Sequence, residues 1–118
     1  MVPGVVERAV DAYVAAWNTP DDIERLRLLR IGLHEDAIFK GPTGDFAGHA
    51  AVADFIVALR SRVGAAIVSR GAPLEATGTG YYRFGWHINR PDGSPLMNGS
   101  DEVEVGEDGR LLMISVAL

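Results

Sequence analysis

Asp101 is the side chain whose type and position point most directly to chemistry. It lies in the run GSDEVEV, where side chains alternate between the two faces of a strand. This alternation places one set of residues on the apolar face: Gly99, Asp101, Val103 and Val105. An ionised carboxylate on such a face is costly unless its pKa shifts, it gains partners or it faces a cavity. The position therefore predicts either a hydrogen-bonded structural acid or an acid that exchanges protons inside a pocket.

The other residues that could carry chemistry form no recognisable motif. His87 is a candidate base because an imidazole titrates near neutral pH. The three histidines have no metal-ligand spacing, and the sequence contains no cysteine. No run matches a phosphate-binding loop or the elbow of a serine nucleophile. We therefore expect no metal, no cofactor and no covalent intermediate.

Length and charge restrict the class of partner. A chain of 118 residues is long enough for one compact domain, and we expect a single domain over residues 1–118. A net charge of -5 without a Lys/Arg cluster disfavours nucleic acids and anionic membranes. The sequence has neither the long apolar run of a membrane span nor the pattern of a signal peptide. We expect a soluble, cytoplasmic domain.

Helical periodicity predicts three helices in the first half of the chain. Apolar residues recur at helical spacing from Val5 to Trp17, which puts Tyr13 and Trp17 on one buried face. The run TPDDIERLRLLRIGL predicts a second helix with Thr19 as its N-cap and an end near Gly32. The run GHAAVADFIVALRSRV predicts a third helix with these residues inward: Val52, Phe55, Ile56, Leu59 and Val63.

Strands dominate the second half. AIFKGP predicts a short strand broken by Gly41 and Pro42 before the third helix. After Gly64 come five β-prone runs separated by turn residues: AAIVSRG, LEATGTG, YYRFGWHIN, PLMNGSDEVEV and LLMISVAL. Helices followed by consecutive strands indicate an α+β domain, with helices on one face of a mostly antiparallel, curved sheet.

The loop at NRPDGSPL predicts the register of one hairpin. A four-residue loop from Pro91 to Ser94 pairs Arg90 with Pro95. Counting back from that pair gives the expected partners: Trp86 with Gly99, Phe84 with Asp101, Tyr82 with Val103 and Arg83 with Glu102. The last pair joins opposite charges across the strands, which helps to fix the register. This register places His87 on the face away from Asp101.

Several segments resemble the nuclear transport factor 2-like superfamily, which includes ketosteroid isomerases and SnoaL-like polyketide cyclases. AYVAAWNTPDDIERL resembles the first two helices, AIFKGPTGDFAGHAAVADFI the first strand, loop and third helix, and GSDEVEVGEDGRLLMISVAL the closing hairpin. The resemblance spans nearly the whole chain. It implies a cone-shaped α+β barrel and a homodimer formed through the sheet.

The resemblance also implies roles for two residues. In the isomerase branch, a tyrosine of the first helix and an aspartic acid of the penultimate strand form an oxyanion hole, and these positions match Tyr13 and Asp101. SnoaL-like cyclases place an aspartate on the same strand as general acid or base. The isomerase base position is Gly41 here, which argues against the steroid isomerase mechanism. Of the flanking residues, Lys40 is expected on the opposite face and Asp45 in a loop.

These observations lead to two hypotheses. The first is a pocket protein that binds a largely apolar metabolite, with Asp101 as general acid or base and Tyr13 as hydrogen-bond donor in a cyclisation, isomerisation, dehydration or epoxide hydrolysis. The alternative is a non-catalytic ligand-binding or dimerisation module. Seven residues are expected to line the pocket or to fill a core: Trp17, Phe39, Gly41, Phe55, Phe84, Trp86 and Ile114. The expected dimer face is the outer side of the sheet: Arg83, His87, Asn98, Ser100 and Glu102.

Overall fold

The computed structural model describes residues 3–71 and 73–117, and it confirms the predicted α+β architecture. Three helices pack against one sheet: α1 (Pro3–Asn18), α2 (Asp22–Gly32) and α3 (His49–Val63). The sheet has seven strands: β1 (Leu33–Gly41), β2 (Gly44–Ala47), β3 (Ile67–Arg70), β4 (Glu75–Gly78), β5 (Tyr81–Asn89), β6 (Pro95–Val105) and β7 (Leu111–Ala117). Among the described residues, no helix has both the length and the apolar character needed to cross a membrane.

The sheet is curved, open and mostly antiparallel. Its strands follow the order β2-β1-β7-β6-β5-β3, and β4 also pairs with β5. β1 runs parallel to β7, while the other described strand pairs are antiparallel. In the part of the chain that the structure describes, the edge strands β2 and β3 do not pair with each other, so the cone stays unclosed.

Two strand predictions are corrected. β1 begins at Leu33 rather than at Ala37, and an irregularity in its pairing with β7 between Leu33 and Ile38 breaks the alternation that would have shown this. β2 was not predicted. It forms a hairpin with the end of β1, and its mostly exposed side chains carry no apolar alternation to mark it as a strand.

The N-cap of α2 is Asp21, so the prediction of Thr19 is wrong. The Asp21 carboxylate accepts the backbone N–H of Glu24 at 3.2 Å. A carboxylate at this position satisfies a free amide and also interacts favourably with the positive end of the helix dipole. The Thr19 hydroxyl instead accepts the N–H of Asp21 in the preceding turn. The predicted end of the helix at Gly32 is confirmed.

The inward face of α3 divides into a buried part and a partly covered part. Val52 and Ile56 are fully buried in the core, as predicted. Phe55, Leu59 and Val63 are only partly buried, although they pack against the same core. Phe55 and Leu59 are incompletely covered because they face the cavity described below.

The predicted register of the β5–β6 hairpin is confirmed along most of its length. The observed pairs include the predicted ones: Tyr82 with Val103, Arg83 with Glu102, Phe84 with Asp101, and Trp86 with Gly99. The turn differs, because Asn89 rather than Arg90 pairs with Pro95. Gly93 has a φ of 89° and donates its N–H to the Arg90 carbonyl. The unpaired loop therefore runs from Arg90 to Ser94, one residue longer than predicted.

Arginines from α2 and α3 hold the C-terminal end of α1. Arg25 is only 3% exposed, and it donates to the carbonyl oxygens of Ala16, at 3.1 Å, and Thr19. Arg60 donates to the carbonyl oxygen of Trp17. Carbonyls at a helix end lack intrahelical donors and carry partial negative charge, and the last turn of α1 has no basic side chain of its own. The two guanidinium groups therefore fix the end of α1 that carries Trp17.

Candidate active site

A cavity of about 310 Å³ opens beside α1, α3 and the inner face of the sheet. Its size is near the lower end of the range of about 300–1,000 Å³ that is typical of small-molecule sites. Most of its wall is aromatic or aliphatic, including Trp17, Phe39, Phe55, Phe84, Trp86 and Ile88. Polar side chains reach it from Tyr13, Thr43, Arg62 and Asp101. Such a cavity can enclose an apolar molecule and contact it at a few polar points.

Most residues that the sequence suggested lie around this cavity, but two do not. Tyr13 and Asp101 line it together with the predicted aromatic residues: Trp17, Phe39, Phe55, Phe84 and Trp86. Gly41 and Ile114 are outside the lining. Ile114 is fully buried between β1 and β6, where it pairs with Phe39 and Val103. Strand parity assigned it to the correct face, but parity does not distinguish a packed core position from a cavity wall.

Asp101 is a buried acid with a single side-chain donor in the described structure. It is 3% exposed, and the indole Nε1 of Trp86 donates to its Oδ1 at 3.0 Å. Burial raises the pKa of Asp101 to about 7, while the hydrogen bond from Trp86 lowers the pKa and offsets part of this effect. Both protonation states are therefore accessible near neutral pH, as acid/base catalysis requires.

The contact between Trp86 and Asp101 depends on Gly99. Trp86 pairs directly with Gly99, so its indole crosses that residue to reach Asp101, two positions further along β6. A Cβ atom at Gly99 would lie 2.5 Å from Cζ2 of Trp86 and 2.7 Å from the backbone oxygen of Ala117. Only glycine leaves room for the indole. Sequence reasoning assigned Trp86 to the wall but missed its role as donor, although a tryptophan opposite a glycine and diagonal to an acid was visible in the register.

Tyr13 contributes a neutral phenol to the cavity. It is 3% exposed, and burial raises its pKa well above the ordinary value. The charge of Asp101 raises the pKa of Tyr13 further, whereas a hydrogen bond with Trp17 lowers it. Both side chains line the same cavity. Tyr13 thus keeps its proton and can act as a hydrogen-bond donor.

Aromatic packing holds the wall around these polar groups. The rings of Tyr13 and Trp17 meet edge to face with centroids 6.4 Å apart, and Trp17 meets Phe55 in the same way at 6.0 Å. Phe55 stacks on Phe46 at 4.7 Å and also contacts Phe39. Offset and edge-to-face geometries of this kind are the favourable arrangements for aromatic pairs. They connect α1, α3 and the β1–β2 hairpin around the cavity.

The rim of the cavity contains residues that sequence reasoning missed. Pro42 and Thr43 line it from the turn between β1 and β2, and Arg62 lines it from the last turn of α3. Helical spacing could have indicated Arg62, because it follows Phe55 and Leu59 on the same face at intervals of four and three residues. The turn conformation that brings Thr43 to the rim has no comparable sequence signal.

The histidines lie away from the cavity. His87 is exposed on the outer face of β5, opposite Asn98, as the register predicted. The ring of His49 hydrogen-bonds the Leu33 carbonyl at 2.8 Å. His34 starts a group with Glu35 and Asp36 whose potential ligand atoms lie within 4.8 Å of one another. The carboxylates of Glu35 and Asp36 are both exposed, and none of the three residues lines the cavity.

Comparison with known proteins identifies the fold. A candidate isomerase of the SnoaL-like family from Agrobacterium tumefaciens superposes with a TM-score of 0.85 over 96% of both chains, at 24% identity. An NTF2-like protein of unknown function from Exiguobacterium gives 0.74 at 14% identity, covering 92% of this chain and 96% of that chain. A candidate polyketide cyclase from Sinorhizobium meliloti gives 0.68 at 16% identity over 92% of both chains.

No protein-family model and no curated protein matches this sequence. The structural likeness nevertheless extends over nearly the whole chain and includes the three helices, the curved sheet and their order. The chain therefore has the nuclear transport factor 2-like fold that the sequence resemblance implied.

Proposed function

We propose that this protein binds a largely apolar metabolite in its cavity and performs acid/base chemistry on it with its own side chains. The observation that carries the proposal is the position of Asp101, a buried carboxyl on the wall of an apolar cavity. Its one described side-chain donor, Trp86, contacts Oδ1, so no described side chain donates to Oδ2. Its pKa of about 7 suits proton transfer near neutral pH.

The proposed roles follow from the two polar groups. In its protonated form, Asp101 donates to an oxygen atom of the ligand; in its ionised form, it accepts a proton from carbon, oxygen or water. Tyr13 donates a second hydrogen bond that stabilises negative charge developing on the ligand oxygen. This pair would support a cyclisation, an isomerisation, a dehydration or an epoxide hydrolysis. The similarity to a candidate isomerase and a candidate polyketide cyclase is compatible with this range.

Asp101→Asn is expected to reduce turnover by about a hundredfold, because an amide cannot exchange the proton that a positioned carboxyl supplies. The test is to select binders from a panel of apolar ketones, hydroxyketones and epoxides, and then to follow their conversion by mass spectrometry. Asp54→Asn is the matched control, since Asp54 is exposed on α3 and does not line the cavity. Equal conversion by wild type and Asp101→Asn would contradict the role of Asp101. Binding without any conversion would favour the alternative below.

The alternative is a non-catalytic ligand-binding or dimerisation module. The position that matches the isomerase base is Gly41, and a Cβ atom placed there would lie 2.8 Å from Cε1 of Phe39. The Phe39 ring thus occupies the space that a base side chain would need. A pocket that retains its ligand without converting it would account for this replacement.

We further propose that two copies associate through the outer face of the sheet. This face exposes Ile38, Ile67 and Tyr81, each between 37% and 51%, among its polar residues. Light scattering at micromolar concentration is expected to give twice the chain mass of 12.6 kDa. Ile67→Glu should shift the mass towards that of the monomer. Ile23→Glu should not, because the Ile23 side chain is exposed on α2, away from the sheet. A monomeric wild-type protein would contradict this proposal.

A further inference from the structure

Arg62 is a cationic group at the edge of the cavity. Arg62 lies in the last turn of α3, is exposed, and forms part of the cavity lining. Within the described residues it has neither a hydrogen bond nor an ion pair. Arg60, two residues earlier, is by contrast occupied by the Trp17 carbonyl. Arg62 is therefore available to a molecule that enters the cavity.

The polar groups at the buried end of the cavity differ from those at its mouth. Its buried end contains Asp101 and Tyr13, each 3% exposed. Its mouth contains Arg62 and Thr43, both exposed. Between them the wall is almost entirely aromatic and aliphatic, as the positions of Trp17 and Phe55 illustrate. A molecule that satisfies both ends would have an apolar body, a neutral oxygen at the buried end and an anionic group at the mouth.

Guanidinium chemistry favours this match. Arginine is always charged, is weakly hydrated and presents a planar set of donors that fits carboxylate or sulfonate oxygens. An arginine in the last turn of a helix also interacts favourably with the helix dipole wherever its side chain points. The dipole alone does not account for the position of Arg62 on the cavity wall. A suitable control must therefore share the helix-end position but not the cavity.

We propose that Arg62 selects, among the apolar molecules that the cavity accepts, those that carry an anionic group at the mouth. The inference rests on the proposed function in one respect, namely that the cavity binds a small molecule. It adds a substrate class: apolar organic acids, held by Arg62 at the anionic end and presented to Asp101 at the other end.

Two fluorescent probes with the same ring skeleton can test this assignment. 1-Anilinonaphthalene-8-sulfonate carries an anionic group, and N-phenyl-1-naphthylamine lacks it. Arg62→Gln is expected to weaken binding of the sulfonate about tenfold, because a charge-assisted contact is lost. Binding of the neutral amine should change less than about twofold. The ratio of the two affinities, measured by fluorescence titration, therefore reports the contribution of Arg62.

Arg30→Gln is the matched control, since Arg30 lies in the last turn of α2, is exposed and does not line the cavity. It should leave both affinities unchanged. Ala58→Trp, at an exposed position of the lining, should block both probes and so confirm that they occupy the cavity.

The possible failures are distinguishable. If wild-type protein binds both probes in the cavity but Arg62→Gln affects neither, or if Arg30→Gln weakens the sulfonate equally, the selection by Arg62 is overturned and the proposed function stands. If wild-type protein binds neither probe, or if Ala58→Trp leaves binding intact, both the pocket function and the inference built on it fail.

Discussion

Asp101→Asn is expected to be more stable than the wild-type protein at pH 8, by up to about 4 kcal/mol, and to lose this advantage near pH 4. The pKa of Asp101 is about 7 in the folded protein and close to 4 once the side chain is exposed to water. Between these values the folded state holds a proton that the unfolded state has released. Protonation therefore stabilises the fold fully below about pH 4, and this contribution is lost as the pH rises through 7.

Asparagine removes this dependence without removing the acceptor for the Trp86 indole, because its side-chain oxygen can replace Oδ1. Urea unfolding between pH 4 and pH 8 would give the free energy of unfolding of both proteins. The difference between the two curves isolates Asp101, since all other titratable groups are shared. Parallel curves across this range would show that the carboxyl has an ordinary pKa and would remove the main support for a proton-transfer role.

Much of the fold could be predicted because periodicity and charge agree. Helical spacing identified three helices. The hairpin register, counted back from the predicted turn, agreed with the alternation in β6 and with the opposite charges of Arg83 and Glu102. The errors occur where these signals are weak. The N-cap of α2 depends on which of two neighbouring polar side chains turns back to the helix, and both Thr19 and Asp21 can do so. β2 is short and exposed, so its sequence contains no apolar pattern.

For the site, the sequence predicts which face of the sheet each side chain lies on, but not which atoms it contacts. Parity placed Asp101 and Phe84 on the inner surface, because each residue of a strand has a determined side. Parity does not specify how far a side chain extends along that surface, so the hydrogen bond from Trp86 was missed. It also does not separate a filled core from an open cavity, which is why Ile114 was assigned to the lining. Rotamers and neighbouring elements determine both features.

Gly99→Ala is expected to be the most disruptive small substitution in the site. The new methyl group would lie 2.5 Å from Cζ2 of Trp86 and 2.7 Å from the backbone oxygen of Ala117. Rotating the indole away relieves the first contact but breaks its hydrogen bond to Asp101, whereas relieving the second requires movement between β6 and β7. Overpacking costs about 1–3 kcal/mol, and a hydrogen bond to a charged group contributes about 1.5–3 kcal/mol. We therefore expect a loss of about 2.5–6 kcal/mol in the free energy of unfolding.

The same substitution should raise the pKa of Asp101 above its wild-type value, because the Trp86 N–H is the interaction that lowers it. Carboxyl titration by NMR measures this directly, and urea unfolding measures the stability. Gly85→Ala is the matched control on the neighbouring strand, since a Cβ atom there would meet only the Gly99 oxygen, at an ordinary distance of 3.8 Å. Gly85→Ala should leave the stability and the pKa of Asp101 near their wild-type values.

Trp86→Phe removes the N–H while keeping an aromatic ring, so it should reproduce the rise in the pKa of Asp101 with less loss of stability. If Gly99→Ala changed neither the stability nor the pKa, the indole could reach Asp101 without the space that glycine provides, and the coupling among these three residues would be wrong.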